Sequence, residues 1–466
     1  MIDSRQRSIA LLVAGCFFME NLDGTIVTTA TPQIAAALDS TPAAVGLVVT
    51  AYLVTLAVLI PLSGWLTARY GARRVMLSAI TLFTLASLGC ALSENLGTLV
   101  ALRIAQGAGG AMMVPVGRLV VLARTEKRDI PKVMAYIVWP ALIAPVLAPL
   151  LGGFLVTYAS WHWMFLINLP LGVLAFAVAR RLIEAGPAGA PPPLDIAGVL
   201  LTCTGLGALT WTAHLLTEGA GWSVVGVLAA GSAAALVLAV RHLGRAPHPL
   251  LNLRTLRVAS FRATVTGGSL FWVVVGAVPF LLPLLFQEVF GWSAVKSGAV
   301  VLFVFVGNIG IKPATTYLLN RFGFRPLLVA STAGLAVTMA ACALLAFGTP
   351  LALIAVVSLA SGAARSLALT GYSTLAFSET PPGQLRDANA LSATAQQLSA
   401  GLGVAAATVA LHVGTAVTDS PAGAYATAFL LLAGLALTAT AGAVRLSSGA
   451  GDGVRAVAKV GVSAIK

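Results

Sequence analysis

About fourteen apolar runs of roughly twenty residues recur along this chain, and each could cross a hydrocarbon core about 30 Å thick. In lipid the backbone must satisfy its own hydrogen bonds, so runs of this length fold as spanning helices packed into a bundle. Only 9% of the residues are charged and 58% are hydrophobic, whereas a soluble domain carries about 25% charged residues. Mean hydropathy is +0.95. The expected fold class is an all-α integral membrane protein with about 14 transmembrane helices. The first run, from about Ser8 to Ile34, follows the short charged start Met1 to Arg7. It is too long for a signal-peptide core and reads as a retained first span.

The formal charge of +13 would suggest nucleic acid in a soluble protein. Here the bases fall in alternate loops: Arg5 and Arg7, then Arg69, Arg73 and Arg74, then Arg180 and Arg181, then Arg321 and Arg325. The intervening loops hold almost none beyond Lys296. That asymmetry sets topology and predicts both termini in the cytoplasm of a multi-pass inner-membrane protein. The partner expected from composition is the lipid bilayer, with no nucleic acid. Cys16, Cys90, Cys203 and Cys342 have no metal-ligand spacing and read as small core residues. No phosphate-binding Gly-Lys-Ser/Thr loop and no hydrolytic constellation is found, so the chain reads as no enzyme, with no cofactor and no metal.

One stretch resists burial. Glu20, Asn21 and Asp23 lie inside the first run, and Glu20 is about 18 Å from Ser8 at 1.5 Å per residue. An ionised carboxylate at that depth is costly unless it faces water or a partner. Glu20 and Asp23 are three residues apart and share one helix face. A carboxyl group sequestered from water can load and release protons at cellular pH, and it can hold a lipophilic cation. The alternative is a carboxylate fixed by a neighbouring helix for purely structural reasons.

Composition divides the chain. Residues 1–183 read as an N-terminal six-helix bundle and 184–245 as a Pro-rich linker plus two extra spans. Residues 246–446 read as a C-terminal six-helix bundle and 447–466 as a disordered cytoplasmic tail. Leu66-Thr67-Ala68-Arg69-Tyr70-Gly71-Ala72-Arg73 and Leu318-Leu319-Asn320-Arg321-Phe322-Gly323-Phe324-Arg325 carry Arg, aromatic, Gly and Arg in the same order. Internal repeats of this kind mark secondary transporters.

At these residues the chain resembles the major facilitator superfamily, and within it the fourteen-span drug:proton antiporter branch of the EmrB/QacA type. Leu22-Asp23-Gly24-Thr25-Ile26-Val27 with Pro32 matches the branch's first-helix motif. Gly64 to Arg74 matches the superfamily's 2–3 loop, and Arg103-Ile104-Ala105-Gln106-Gly107 its fourth helix. Ala148-Pro149-Leu150-Leu151-Gly152-Gly153 resembles the antiporter fifth-helix motif, and Trp161 to Pro170 the entry to helix 6. Two positions depart from the pattern. Ala68 stands where the loop motif carries an Asp thought to latch the halves, and Ala148 stands where Gly is usual.

The resemblance implies a major facilitator fold arranged 6 + 2 + 6, a monomer driven by the proton gradient, with protons and a small amphiphilic substrate as its partners. Depth in the apolar run makes Glu20 and Asp23 the proton-coupling candidates, and the resemblance adds Arg103, tuning a helix-1 carboxylate; snorkelling of Arg103 to the outer interface is the alternative. The resemblance also implies gating by Gly64, Arg69, Gly71, Arg73, Arg74, Pro149, Gly152 and Gly153. Candidates for substrate contact are Glu20, Asn21, Tyr52, Gln106, Trp139, Trp272 and Arg365, a mixed aromatic and polar lining suited to neutral, zwitterionic or monovalent amphiphiles. The function expected is proton-coupled export of amphiphilic drugs or toxic compounds. The alternatives are an exporter dedicated to one natural product, a proton-coupled importer, or a non-transporting receptor.

Overall fold

The computed structural model describes residues 4–40, 42–123, 125–126, 129–184, 193–217, 219 and 221–453. The chain opens with α1 (Ser4–Ile26), a 3-10 turn, α2 (Thr31–Ala37), α3 (Pro42–Leu59) and α4 (Ser63–Tyr70). Then come α5 (Ala72–Ala91), α6 (Leu96–Leu122), α7 (Ile130–Tyr158), α8 (Trp163–Leu166) and α9 (Asn168–Leu182). Two long helices follow, α10 (Ile196–Thr217) and α11 (Trp222–Arg245). The remainder is α12 (Ala259–Leu284), α13 (Ala294–Gly310), α14 (Lys312–Phe322), α15 (Phe324–Ala343), α16 (Leu351–Ser378), α17 (Leu385–Val417) and α18 (Pro421–Val444). No strand occurs among the described residues.

Among the described residues, twelve helices are long and apolar enough to cross a membrane, or thirteen if α13 and α14 count as one span bent by 49°. The break at Ile311 has a local cause. Pro313 sits in the first turn of α14, and a proline there lacks the N–H and crowds the carbonyl four residues back. Side-chain caps start several helices, as where the Thr98 N–H donates to Asn95 Oδ1 at 2.8 Å and the Gly423 N–H to Ser420 Oγ at 3.1 Å.

The repeat seen in the sequence is one turn built twice. Gly71 ends α4 at φ 80°, and Gly323 ends α14 at φ 89°. Each donates its N–H to the carbonyl four residues back, Thr67 and Leu319, both in the last turn of the preceding helix. Only glycine adopts that backbone without strain.

The basic loops gather at one end of the molecule. Arg5 Nη2 donates to the Leu182 carbonyl at 3.2 Å and its Nη1 pairs with Glu184 at 2.6 Å. Arg73 reaches the Arg180 carbonyl at 2.9 Å. The starts of α1 and α5 and the end of α9 therefore share this basic end.

Among the described residues, three buried apolar clusters hold the fold. One is confined to the C-terminal half, from Phe271 to Ala450. A second lies within α1–α8, around Leu22, Ile34, Ala144 and Phe165. The third crosses the halves: Ile9, Met113, Val116 and Ile137 are continuous with Phe261, Phe377, Ala388 and Leu391. Those last four lie at the starts of α12 and α17 and the end of α16, so the halves meet at the basic end. Asn389 Nδ2 ties the seam to the Pro115 carbonyl at 2.7 Å.

One expectation needs correction. Residues from Leu446 to Asp452 are docked rather than disordered: Ala450 is buried and the Gly451 N–H donates to Glu379 Oε1 at 2.7 Å. The tail beyond Gly453 lies outside the described residues. At the start of α14, Lys312 Nζ donates to Thr370 Oγ1 on α16 at 3.0 Å.

Candidate functional site

Asp23 is the centre of a buried polar cluster. It is 1% exposed and Arg103 is fully buried. Arg103 Nη1 pairs with Asp23 Oδ2, and Oδ1 accepts from Gln106 Nε2 at 2.8 Å and from Asn168 Nδ2 at 2.7 Å. Ser87 extends the network from α5, accepting from Gln106 Nε2 at 2.6 Å. Arg103 also donates from Nε to the Val48 carbonyl at 3.1 Å and from Nη1 to Gln106 Oε1 at 2.8 Å. Its guanidinium stacks 4.3 Å over the Tyr52 ring. The snorkelling alternative for Arg103 is thereby excluded. An ion pair this deep is tolerable because both Asp23 oxygens and the Arg103 Nε and Nη1 groups are bonded, while Arg103 Nη2 has no partner among the described residues.

Glycines on α6 allow this approach. A Cβ on Gly107 would lie 2.9 Å from the Tyr52 carbonyl, and one on Gly109 would lie 2.8 Å from the Ala79 carbonyl. The backbones of α3 and α5 therefore run close enough for Tyr52 and Ser87 to join the cluster.

Glu20 is one turn earlier on α1 and has different surroundings. It is 8% exposed, and its Oε2 has no hydrogen-bond partner among the described residues. The cation whose field reaches it is Arg118. Arg118 is itself 5% exposed with an unpartnered Nε. The Tyr52 hydroxyl donates to the Glu20 carbonyl at 3.2 Å, linking the two carboxylates' environments.

The structure thus brings together Glu20, Asp23, Arg103, Gln106 and Tyr52. Asn21 belongs to the same helix but spends its amide on the Phe17 carbonyl at 2.8 Å. Trp272 lies apart, in a shallow recess with Ser269, Tyr372 and Gln396. Arg365 stacks 6.0 Å from the Phe305 ring on α13, with its Nε unpartnered among the described residues. The side chains of Trp139 and Pro149 lie outside the described residues, although both positions fall within α7. Gly152 is buried and Gly153 exposed on the same helix.

Of the gating candidates, Gly64 packs against the opposite half. A Cβ there would meet Ala390 Cβ at 3.5 Å and Arg386 Cγ at 3.8 Å. Gly71 makes the turn, Arg73 binds Arg180, and Arg69 and Arg74 are exposed. With Ala68 in place of an acid, the Asn389–Pro115 bond and the apolar cluster close this end.

Sequence alone does not single out Arg118, Asn168 or Ser87. Arg118 carried a signal, because a second base fifteen residues after Arg103 in one apolar run needs a partner. It stands near the end of that run, where an interfacial position was equally consistent. Ser87 is one small hydroxyl among many in the spans and gives no signal.

The sequence profile of the Major Facilitator Superfamily matches residues 13–404. The chain belongs to that superfamily. It is therefore a multi-pass membrane protein of a transporter family rather than an enzyme. A protein of Serratia proteamaculans (strain 568), MdtD, which bears a multidrug-resistance name, is 38% identical over 416 residues, 88% of this chain and 87% of the relative. The protein of that name from Cronobacter sakazakii is 39% identical over 401 residues, 85% and 84% of the two chains. Among solved structures, the human organic anion transporter MFSD10 (TETRAN) superposes with a TM-score of 0.68 at 16% identity, over 95% of this chain and 100% of that one. The proton:xylose symporter XylE bound to 6-bromo-6-deoxy-D-glucose gives 0.67 at 14%, over 94% and 95%. At these identities the two structures establish the shared fold alone.

Proposed function

We propose that this chain is a proton-coupled secondary transporter of the EmrB/QacA type, exporting amphiphilic drugs or toxic compounds across the inner membrane by alternating access. The observation that carries the reading is the contrast on α1: Asp23 has both oxygens bonded and paired with Arg103, while Glu20 keeps a buried oxygen unused beside Arg118. The multidrug-resistance name borne by relatives 37–39% identical supports the substrate class.

In this reading α7, a 29-residue helix, joins the twelve spans and the bent α13–α14 pair to make fourteen. Residues 1–183 and 246–446 form the two six-helix halves, α10 and α11 are the inserted pair, and 447–466 is the tail. The basic end is cytoplasmic, so both termini are inside. The state closed at that end faces outward.

Each charge then has a task. With Glu20 ionised, its free oxygen accepts a hydrogen bond from a substrate or holds a monovalent cationic group. Protonation from outside neutralises Glu20, removes that acceptor and releases the substrate. The proton also changes the Glu20–Arg118 attraction, which biases the return to the inward-facing state. The Asp23–Arg103 cluster transmits that change between α1 and α6. Gly64, Arg69, Gly71, Arg73 and Arg74 form the inner gate with α17.

The test is transport in proteoliposomes with a preset proton gradient, following lumenal pH as amphiphilic drugs are added. Substrate-triggered proton flux is expected from the parent and not from Glu20→Gln or Asp23→Asn. Undiminished flux in both variants would refute the α1 assignment. Flux with one compound only, across a broad panel, would identify the dedicated exporter instead.

A further inference from the structure

A cavity of about 520 Å³ lies between α3, α10 and α17. It is on the other face of α3 from the Asp23 cluster: Tyr52 and Leu56 meet α6 at Gly107 and Gly110, while Val49 and Leu53 line the cavity. The volume falls within the roughly 300–1,000 Å³ of small-molecule sites, which are apolar with a few placed polar groups. The wall is of that kind. Leu53 and Val404 are apolar, and Thr50, Thr210, His214 and Gln397 are the polar exceptions; the Thr210 hydroxyl is spent on the Leu206 carbonyl of its own helix at 2.9 Å. The Thr50 hydroxyl and His214 Nδ1 stand 3.1 Å apart and join α3 to α10 across the cavity. Gly401 leaves its share of the wall open, since a Cβ there would meet no described atom within 4 Å.

The position matters as much as the chemistry. α3 and α17 come from opposite halves and meet near the basic end, through Gly64 of the adjoining α4 and Ala390. Further along, the space between them is walled by α10, which lies outside the internal repeat. Its neighbour α11 contributes nothing to the cavity and is mostly exposed. Without α10 this side of the seam would face lipid.

We infer that α10 builds a second binding site at the seam, taking a small amphiphile with an apolar body and one hydrogen-bonding group held at Thr50, His214 and Gln397. The inference rests on the reading of the chain as a carrier of amphiphiles, and it assigns that carrier a site separate from Glu20 and Trp272. An inserted helix that encloses such a site makes substrate occupancy depend on the separation of α3 and α17, the quantity that alternating access changes.

The experiment is equilibrium binding of rhodamine 6G, a monovalent amphiphile with N–H donors, to the purified full-length protein, read by fluorescence anisotropy without a proton gradient. Gly401→Phe should fill the cavity and weaken binding at least about tenfold. Gly434→Phe, on an open face of α18, should leave it unchanged. Thr50→Val combined with His214→Leu keeps the wall apolar and should weaken binding several-fold while the protein still elutes as a folded species. Parent-like binding by Gly401→Phe, with loss in Trp272→Ala, would place the probe in the recess of α12 and overturn the seam site while leaving the export reading intact. Absence of saturable binding to the parent, with a phospholipid lost from Gly401→Phe in native mass spectra, would make the cavity a lipid site and overturn the proposal.

Discussion

Asp23 and Glu20 lie one helical turn apart on α1 and call for unequal mutational outcomes. Asp23 is one half of a fully buried pair with Arg103, and removing one partner of such a pair costs about 3–5 kcal/mol because the other charge is left uncompensated. Arg103→Met should therefore lower thermal stability markedly. Adding Asp23→Asn to it should restore part of the loss, since the buried charge is gone. Thermal unfolding of the purified single and double variants measures this, and additive losses would contradict the pairing. Glu20→Gln leaves the Asp23 network intact, and Glu20 Oε2 has no described hydrogen bond to lose. It does leave buried Arg118 without its acidic neighbour, so Glu20→Gln should destabilise, but by less than Arg103→Met, since no described hydrogen bond is lost. These residues were legible because carboxylates inside an apolar run are too costly to be incidental. Their partners were less so: Asn168 and Ser87 carry no charge, and neutral hydrogen-bonding residues leave no comparable mark on a hydropathy pattern.

Among the elements, the repeated turn and the inserted pair make separate predictions. Gly71 and Gly323 hold backbone angles open to little but glycine, and forcing another residue there costs about 1–3 kcal/mol. Gly71→Ala and Gly323→Ala should destabilise by similar amounts in thermal unfolding, and a loss at only one would mean the two turns are not equivalent. At the start of α10, Asp195 accepts from His242 Nε2 at 2.7 Å, the Gly198 N–H at 2.8 Å and the Leu250 N–H at 3.2 Å. Burial alone would push its carboxyl up, but these bonds outweigh burial and hold it below the usual aspartate range. A carboxyl lowered on folding contributes stability above its unfolded value, about 3.9, and loses it as pH falls through the folded value. Asp195→Asn should thus be less stable than the parent at pH 7, and the two should converge below about pH 4. A gap that persists in acid would sink this account. The sequence pattern disclosed the repeat because glycine at a fixed place between Arg residues has a backbone cause. It did not disclose the break at Ile311, since Pro313 sits in an apolar run that hydropathy reads as continuous. Nor did it disclose the docked start of the tail, because a Gly-rich composition is silent about a chain held by Glu379.

For the whole molecule, what matters is where the halves touch. One buried cluster bridges them at the basic end, and the other two stay within their own halves. Such an arrangement opens by separating α17 from α4 and α6, and the approach of Gly64 to Ala390 limits how tightly it closes. Adding a side chain there acts on one state only. In the closed state Gly64→Leu must displace Ala390 or Arg386, whereas in the open state the leucine meets nothing from the other half. An equilibrium shifts by the difference a change makes between its two states, so this substitution should populate the form open at the basic end. Asn389→Ala should shift it the same way by a smaller amount, since it removes one hydrogen bond worth about 1 kcal/mol. Spin labels on Arg69 and Arg386, both at this end, would report the change as a longer distance population in pulsed electron resonance. That population should rise in the order parent, Asn389→Ala, Gly64→Leu. If Gly64→Leu leaves the distances unchanged, the closure is set elsewhere, and the seam through α17 is a consequence of the closed state rather than its cause.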